Sequence, residues 1–160
     1  DESGGALNFS CNPAADDDAG YASMTVFDLT SSYASIEVVS PPEPGTDAFL
    51  DLVLVRPEAE TLFGFHLHAT ELEMYLAIDG NYSQVAADPY EPSGGRFLRL
   101  REDAGTVYFE RSPDNQQYEV VHAMPVPFDV TSVQVVLAGG AEGANTAGTT
   151  STFDNFNLGP

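Results

Sequence analysis

A chain of 160 residues is long enough for one domain with its own hydrophobic core, without help from disulfides or metals. Hydrophobic residues make up 42% of it, with ten Phe and seven Tyr, yet no stretch approaches the roughly 20 apolar residues that span a bilayer. Twenty-five acids against five arginines and no lysine give a formal net charge of −20, a field that repels phosphates and anionic lipid, so neither nucleic acid nor membrane insertion is expected.

Residues 1–20 are polar and rich in Gly, Ala and Asp, including Asp16-Asp17-Asp18, and read as a lead-in to a domain over 21–160. The opening Asp1-Glu2-Ser3-Gly4-Gly5 has neither the cationic start nor the apolar run of a signal peptide and reads as a processed or excised end. Cys11 is the single cysteine, so no internal disulfide forms, and it reads as a free thiol.

From Tyr21 onward, short β-prone runs alternate with turn clusters at close to the 8–12-residue spacing of a sandwich or barrel. The expected strands are 21–29, 33–39, 48–55, 61–68, 71–78 and 82–86, then, after the loop with Pro89 and Pro92, 96–101, 106–111, 117–122, 131–138 and 150–158. Phe63, Phe65 and Leu67 share one face of their run, with Gly64, His66 and His68 on the other. Leu72, Met74 and Leu76 oppose Glu71, Glu73 and Tyr75 in the same way. Period two with one apolar face is what a half-buried antiparallel strand requires.

The breaks are turn chemistry. Pro41-Pro42-Glu43-Pro44-Gly45 removes the donors a central strand needs. Asp79-Gly80-Asn81 supplies residues that accept positive φ for a tight hairpin. Glu102-Asp103-Ala104-Gly105 and Ser112-Pro113-Asp114-Asn115 do the same for two more. No run of a dozen residues carries a 3.6-residue period. About eleven strands, very little helix and no repeat period predict an all-β, two-sheet antiparallel jelly-roll sandwich rather than a propeller.

The second half carries a more specific pattern. Arg96-Phe97-Leu98-Arg99-Leu100-Arg101 leads to Thr106-Val107-Tyr108-Phe109, then Ser112-Pro113-Asp114-Asn115, Tyr118-Glu119-Val120-Val121 and a closing Thr152-Phe153-Asp154-Asn155-Phe156. This resembles the concanavalin A-like lectin/glucanase superfamily, in the branch of bacterial secreted modules related to laminin-G-like and β-xylosidase C-terminal domains. The resemblance covers residues 96–158 by motif and 21–95 by strand pattern alone. Asn115 stands where those modules have Gly, a substitution Asn tolerates because it accepts the left-handed conformation. Tyr118 stands where Trp is common, and the chain has no Trp. The resemblance implies the sandwich fold, and carbohydrate recognition as the associated function.

Catalytic signatures are sparse. Glucanases of this superfamily carry two Glu flanking an Asp on one strand, and the nearest approach here, Glu71-Leu72-Glu73, lacks the central Asp and third acid. There is no Gly-x-Ser-x-Gly. The chain is therefore expected not to be an enzyme. His66 and His68, two apart on a strand, project from one face and suit Zn2+ or Ni2+ if a third ligand joins them; His122 is far away in sequence. Most of the scattered acids read as a solubilising surface. For Ca2+, the candidate ion of this fold, Asp154 and Asn155 in the closing strand, or Asp16–Asp18, offer oxygen ligands. Tyr75, Tyr108, His66, Arg99 and Arg101 fall on polar sides of their strands and are the candidate ligand-binding residues, pairing stacking area with hydrogen bonds. Asn8-Phe9-Ser10 and Asn81-Tyr82-Ser83 match the glycosylation sequon. The reading is a secreted or cell-surface binding module for carbohydrate or matrix; the alternative is a sandwich that makes protein contacts and binds no sugar.

Overall fold

Thirteen strands and no helix make up the described part of the chain. The structure, a computed structural model, describes residues 2–3, 5–10, 17–57, 59–143 and 150–159. The strands are β1 (Glu2–Ser3), β2 (Ala6–Ser10), β3 (Asp17–Ala22), β4 (Tyr33–Ser40), β5 (Ala48–Arg56), β6 (Thr61–Leu67) and β7 (Glu71–Ile78), followed by β8 (Asn81–Pro89), β9 (Phe97–Asp103), β10 (Thr106–Ser112), β11 (Glu119–Pro125), β12 (Gln134–Ala141) and β13 (Thr150–Leu158). They form two antiparallel sheets. The seven-stranded sheet runs β1-β2-β13-β4-β9-β10-β11 and the six-stranded sheet β3-β12-β5-β6-β7-β8. This is the two-sheet jelly-roll sandwich that the alternation predicts.

The apolar face of each strand turns into the space between the sheets. Leu50, Leu52 and Leu54 of β5, Phe63, Phe65 and Leu67 of β6, and Leu72 and Met74 of β7 are fully buried. Opposite them stand Ile36 of β4, Leu98 and Leu100 of β9 and Phe109 of β10. Phe109 closes the centre, edge-on to Phe65 at 5.3 Å and near Phe63 at 6.1 Å. Each such side chain contributes about 1.5–3 kcal/mol by leaving water.

Two hairpins follow the expected turn chemistry. Asp79 and Gly80 both have positive φ between β7 and β8, and Ala104 and Gly105 do the same between β9 and β10, the backbone of a two-residue turn matched to strand twist. Asn115 takes the left-handed conformation, with φ of 63°.

The structure departs from the sequence reading at the start of the chain. Within the expected lead-in, β2 pairs with β13 and β3 with β12, and Leu7 and Phe9 lie in the core. Two apolar residues in alternation suffice to seat a strand when the partner is already there. The strand expected over 21–29 ends at Ala22; beyond it the chain leaves the ladder apart from a single bridge from Phe27 to Val133. Cys11 and Asp16 lie outside the described residues.

Candidate functional site: a polar groove on the six-stranded sheet

The strands that bury Leu and Phe inward present a second set of residues outward. Strand register places Asp51 of β5, His66 of β6 and Glu73 of β7 side by side across three neighbouring strands. One step along, Gly64, Tyr75 and Gln84 form a parallel row. Asp51, His66, Glu73, Tyr75 and Gln84, together with Phe49, His68, Tyr82, Ser83 and Glu142, line a groove of about 430 Å³. Gly64 holds its place in that row because its neighbours leave no room: a Cβ would lie 2.4 Å from the Leu52 carbonyl oxygen.

His66 is the pivot. Its Nδ1 lies 2.6 Å from Asp51 Oδ1 and its Nε2 lies 3.8 Å from Glu142 Oε1. Its ring packs against Phe49 at 4.9 Å, His68 at 4.4 Å and Tyr75 at 6.2 Å. Burial works against a charged imidazole, but the hydrogen bond and charge of Asp51, with Glu142 and Glu73 behind it, outweigh burial and lift the His66 pKa. Burial also pushes the Asp51 carboxyl up, and His66 pulls it partly back. Burial first, then the Asp51 charge, raises the Tyr75 hydroxyl far above the usual phenol range, so Tyr75 stays neutral and presents an O–H. Tyr82 stacks on Tyr75 with ring centres 6.3 Å apart and planes at 21°, while 69% of Tyr82 is open to solvent.

Among the described residues, one group of three His, Cys, Asp or Glu side chains has the spacing to hold a metal ion: His66, His68 and Glu142, whose ligand atoms lie within 4.8 Å of one another. Two imidazoles and a carboxylate are not the all-oxygen set that calcium takes.

The expected ligand-binding residues divide between the two outer faces of the sandwich. His66 and Tyr75 meet in the groove. Arg99, Arg101 and Tyr108 lie on the seven-stranded sheet, where Arg99 pairs in register with Glu110 and Arg101 with Tyr108. Glu110, only 3% exposed, accepts from Arg99 Nε at 2.6 Å and from Arg101 Nη2 at 3.0 Å. Arg99 lies over the Tyr118 ring at 3.5 Å and Arg101 over Tyr108 at 4.2 Å. These donors and rings are engaged with one another. The expected metal residues are elsewhere again. Asp154 Oδ1 accepts the backbone N–H of Asn155 at 2.7 Å, and Asn155 Nδ2 donates to Glu37. Residue types gave no warning of Asp51, Tyr82 and Glu142; the one local signal was a lone acid, Asp51, within the apolar run of β5.

No protein-family model matches the sequence, and no curated protein matches it significantly. Solved structures do match. A glycoside hydrolase family protein from Mycobacterium thermorestibile superposes with a TM-score of 0.68 at 12% identity, over 97% of this chain and 76% of that one. A functionally unknown protein from Saccharomyces cerevisiae gives 0.62 at 13% identity, over 99% and 90%. Toad ovary galectin in complex with thio-digalactose gives 0.51 at 12%, over 88% and 98%. The fold is a lectin-like and glycosidase-like jelly roll. At these identities the likeness is one of fold, and function has to be argued from the groove itself.

Proposed function

We propose that the domain is a non-catalytic, secreted or cell-surface carbohydrate-binding module of the concanavalin A-like type, with its ligand lying in the groove of the six-stranded sheet. The observation that carries this reading is the exposed Tyr82 ring backed by Tyr75 at the rim of a groove whose floor holds Asp51, His66 and Glu73. A sugar ring offers an apolar face to an aromatic platform and hydroxyl donors to carboxylates, and the groove supplies both within one cavity. The likeness to glycosidases and to a galectin solved with a disaccharide analogue supports the same ligand class. Calcium is the proposed structural ion for the oxygen donors of Asp154 and Asn155, away from the groove.

The test is a screen against a glycan array and insoluble polysaccharides, run in Ca2+ and again with chelator, on the wild type and Tyr82→Ala. Wild type is retained on at least one polysaccharide. Tyr82→Ala loses about two- to twelvefold in affinity, the equivalent of the roughly 0.5–1.5 kcal/mol an aromatic pair supplies. Incubation with the retained polysaccharide releases no reducing ends. Release that disappears in Asp51→Asn overturns the non-catalytic reading, because Asp51 and Glu73 are two carboxylates lining the same groove and a carboxylate pair is what glycoside hydrolysis uses. A clean negative on both panels leaves the second reading, a sandwich that makes protein contacts. What favours that reading is the edge strand β11, whose Val120 is exposed and whose outer side carries no strand among the described residues, since such an edge accepts a further strand.

A further inference from the structure

Three groups that ligate borderline metals converge at the end of the groove where β6 and β12 flank β5. His66 and His68, two residues apart at the end of β6, project from the same side, with ring centres 4.4 Å apart. Glu142 comes from the residue after β12 and is fixed at its backbone, where its N–H donates to the Asp47 carbonyl at 3.0 Å. Their ligand atoms lie within 4.8 Å of one another. Bonds of about 2.0–2.1 Å in a tetrahedral site put donor atoms about 3.3 Å apart, so the cluster must contract by up to about 1.5 Å. The side chains divide that movement sensibly. His66 is wedged between Phe49 and Tyr75, whereas the Glu142 side chain is 62% exposed and swings freely toward it.

A second observation points the same way. Asp51 Oδ1 lies 2.6 Å from His66 Nδ1, so that nitrogen is engaged by a carboxylate and Nε2, 3.8 Å from Glu142 Oε1, is the ring atom left to ligate. A histidine that ligates a metal almost always donates its other ring N–H to a carboxylate or carbonyl in this manner, and the partner fixes both tautomer and ring orientation. Three carboxylates, Asp51, Glu73 and Glu142, line this one groove, and a dication offsets their mutual repulsion.

We propose that His66, His68 and Glu142 bind a divalent transition-metal ion of the Zn2+ class, with Asp51 as the positioning residue that presents His66 Nε2 and with the fourth position facing the groove. Two imidazole nitrogens select this class over Ca2+ and Mg2+, which take oxygen. The proposal stands without the carbohydrate reading, because the ion is tested alone.

The experiment is isothermal titration of Zn2+ into the chelator-stripped whole chain, with Co2+ absorption in the visible as a spectroscopic check on coordination. One ion binds per chain, excess Ca2+ does not compete, and Co2+ gives the absorption of a low-symmetry nitrogen–oxygen site. His68→Ala and Glu142→Gln, at partly and largely exposed positions where folding is not at stake, abolish and weaken binding respectively. Asp51→Asn weakens it about 10–100-fold, the usual effect of removing such a partner. His122→Ala, on β11 of the other sheet, changes nothing. The proposal is overturned if wild type shows no saturable Zn2+ site, or if His68→Ala retains wild-type stoichiometry and affinity, since the ion would then sit on the acidic surface. No glycan is present, so a failed polysaccharide screen beside a positive titration removes the carbohydrate reading alone.

Discussion

Glu110→Ala separates the two outer faces of the sandwich. The Glu110 carboxylate is buried and receives Arg99 Nε at 2.6 Å, Arg101 Nε at 3.1 Å and Arg101 Nη2 at 3.0 Å. Removing it leaves Arg99 over its tyrosine rings without its carboxylate partner, and Arg101 with only the more exposed Asp103 at 3.4 Å. Losing one partner of a buried ion pair costs about 3–5 kcal/mol. Arg99 and Arg101 are 20% and 27% exposed, so water recovers part of that and the expected loss is about 2–4 kcal/mol. At about 3 °C per kcal/mol for a domain of this size, the midpoint of thermal unfolding falls by about 6–12 °C. The assay is a thermal melt and a urea titration, followed by retention of the folded variant on whichever polysaccharide retains the wild type. Retention is unchanged, because Glu110 serves the sheet opposite the groove. A melt within a degree of wild type refutes the energetic argument. A folded variant that no longer binds glycan refutes the assignment of the ligand to the six-stranded sheet.

Two further predictions concern stability. Gly64→Ala places a methyl 2.4 Å from the Leu52 carbonyl oxygen and 2.9 Å from Val53 Cα; backbone cannot swing away as a side chain can, so β5 and β6 must part locally at a cost of about 1–3 kcal/mol, read as a lower urea midpoint. Acid unfolding should begin only below about pH 4: hydrogen bonds hold the carboxyls of Asp28 (from Thr30), Asp114 (from the Gln116 and Gln117 amides) and Asp129 (from Thr131) below the usual carboxylate range. A folded pKa below the unfolded value of about 3.9 gives stability that is complete above that value and is lost as pH falls through the lower one. Urea midpoints at stepped pH check this, and a variant carrying Asp114→Asn with a wild-type acid limb would count against it.

The sheets were legible because their signal is local. Phe63, Phe65 and Leu67 alternate with residues that face out, and that pattern survives any arrangement of the remaining strands. The turn at Asp79-Gly80 is set by two residues alone. What was not legible depends on partners distant in sequence. Leu7 and Phe9 are two apolar residues in a polar stretch, and they make a strand only because β13, about 140 residues later, supplies the ladder. Alternation also tells which face of a strand is polar without telling which sheet holds the strand. Hence Tyr75 and Tyr108, equivalent by pattern, are on opposite outer faces. Glu142 lies in Gly140-Ala141-Glu142-Gly143, where nothing local marks it. It reaches His66 only because β5 pairs with both β6 and β12.

The distribution of the few cations decides what the groove can accept. Arg96 is paired with Glu37, Arg99 and Arg101 with Glu110, and Arg111 with Asp88 and Glu119. None of the five arginines lines the groove. Its three carboxylates have the imidazoles of His66 and His68 as their cationic or neutral neighbours, in a chain of net charge −20. A ligand bearing carboxylates or sulfates would enter against that field, and no guanidinium waits to receive it. Neutral hydroxyls, which donate to carboxylates, meet no such barrier, and a divalent cation is drawn in. The metal-free groove thus favours an uncharged hydroxyl-bearing ligand or a cation over an acidic polysaccharide, and a bound dication would relax that discrimination at its open position.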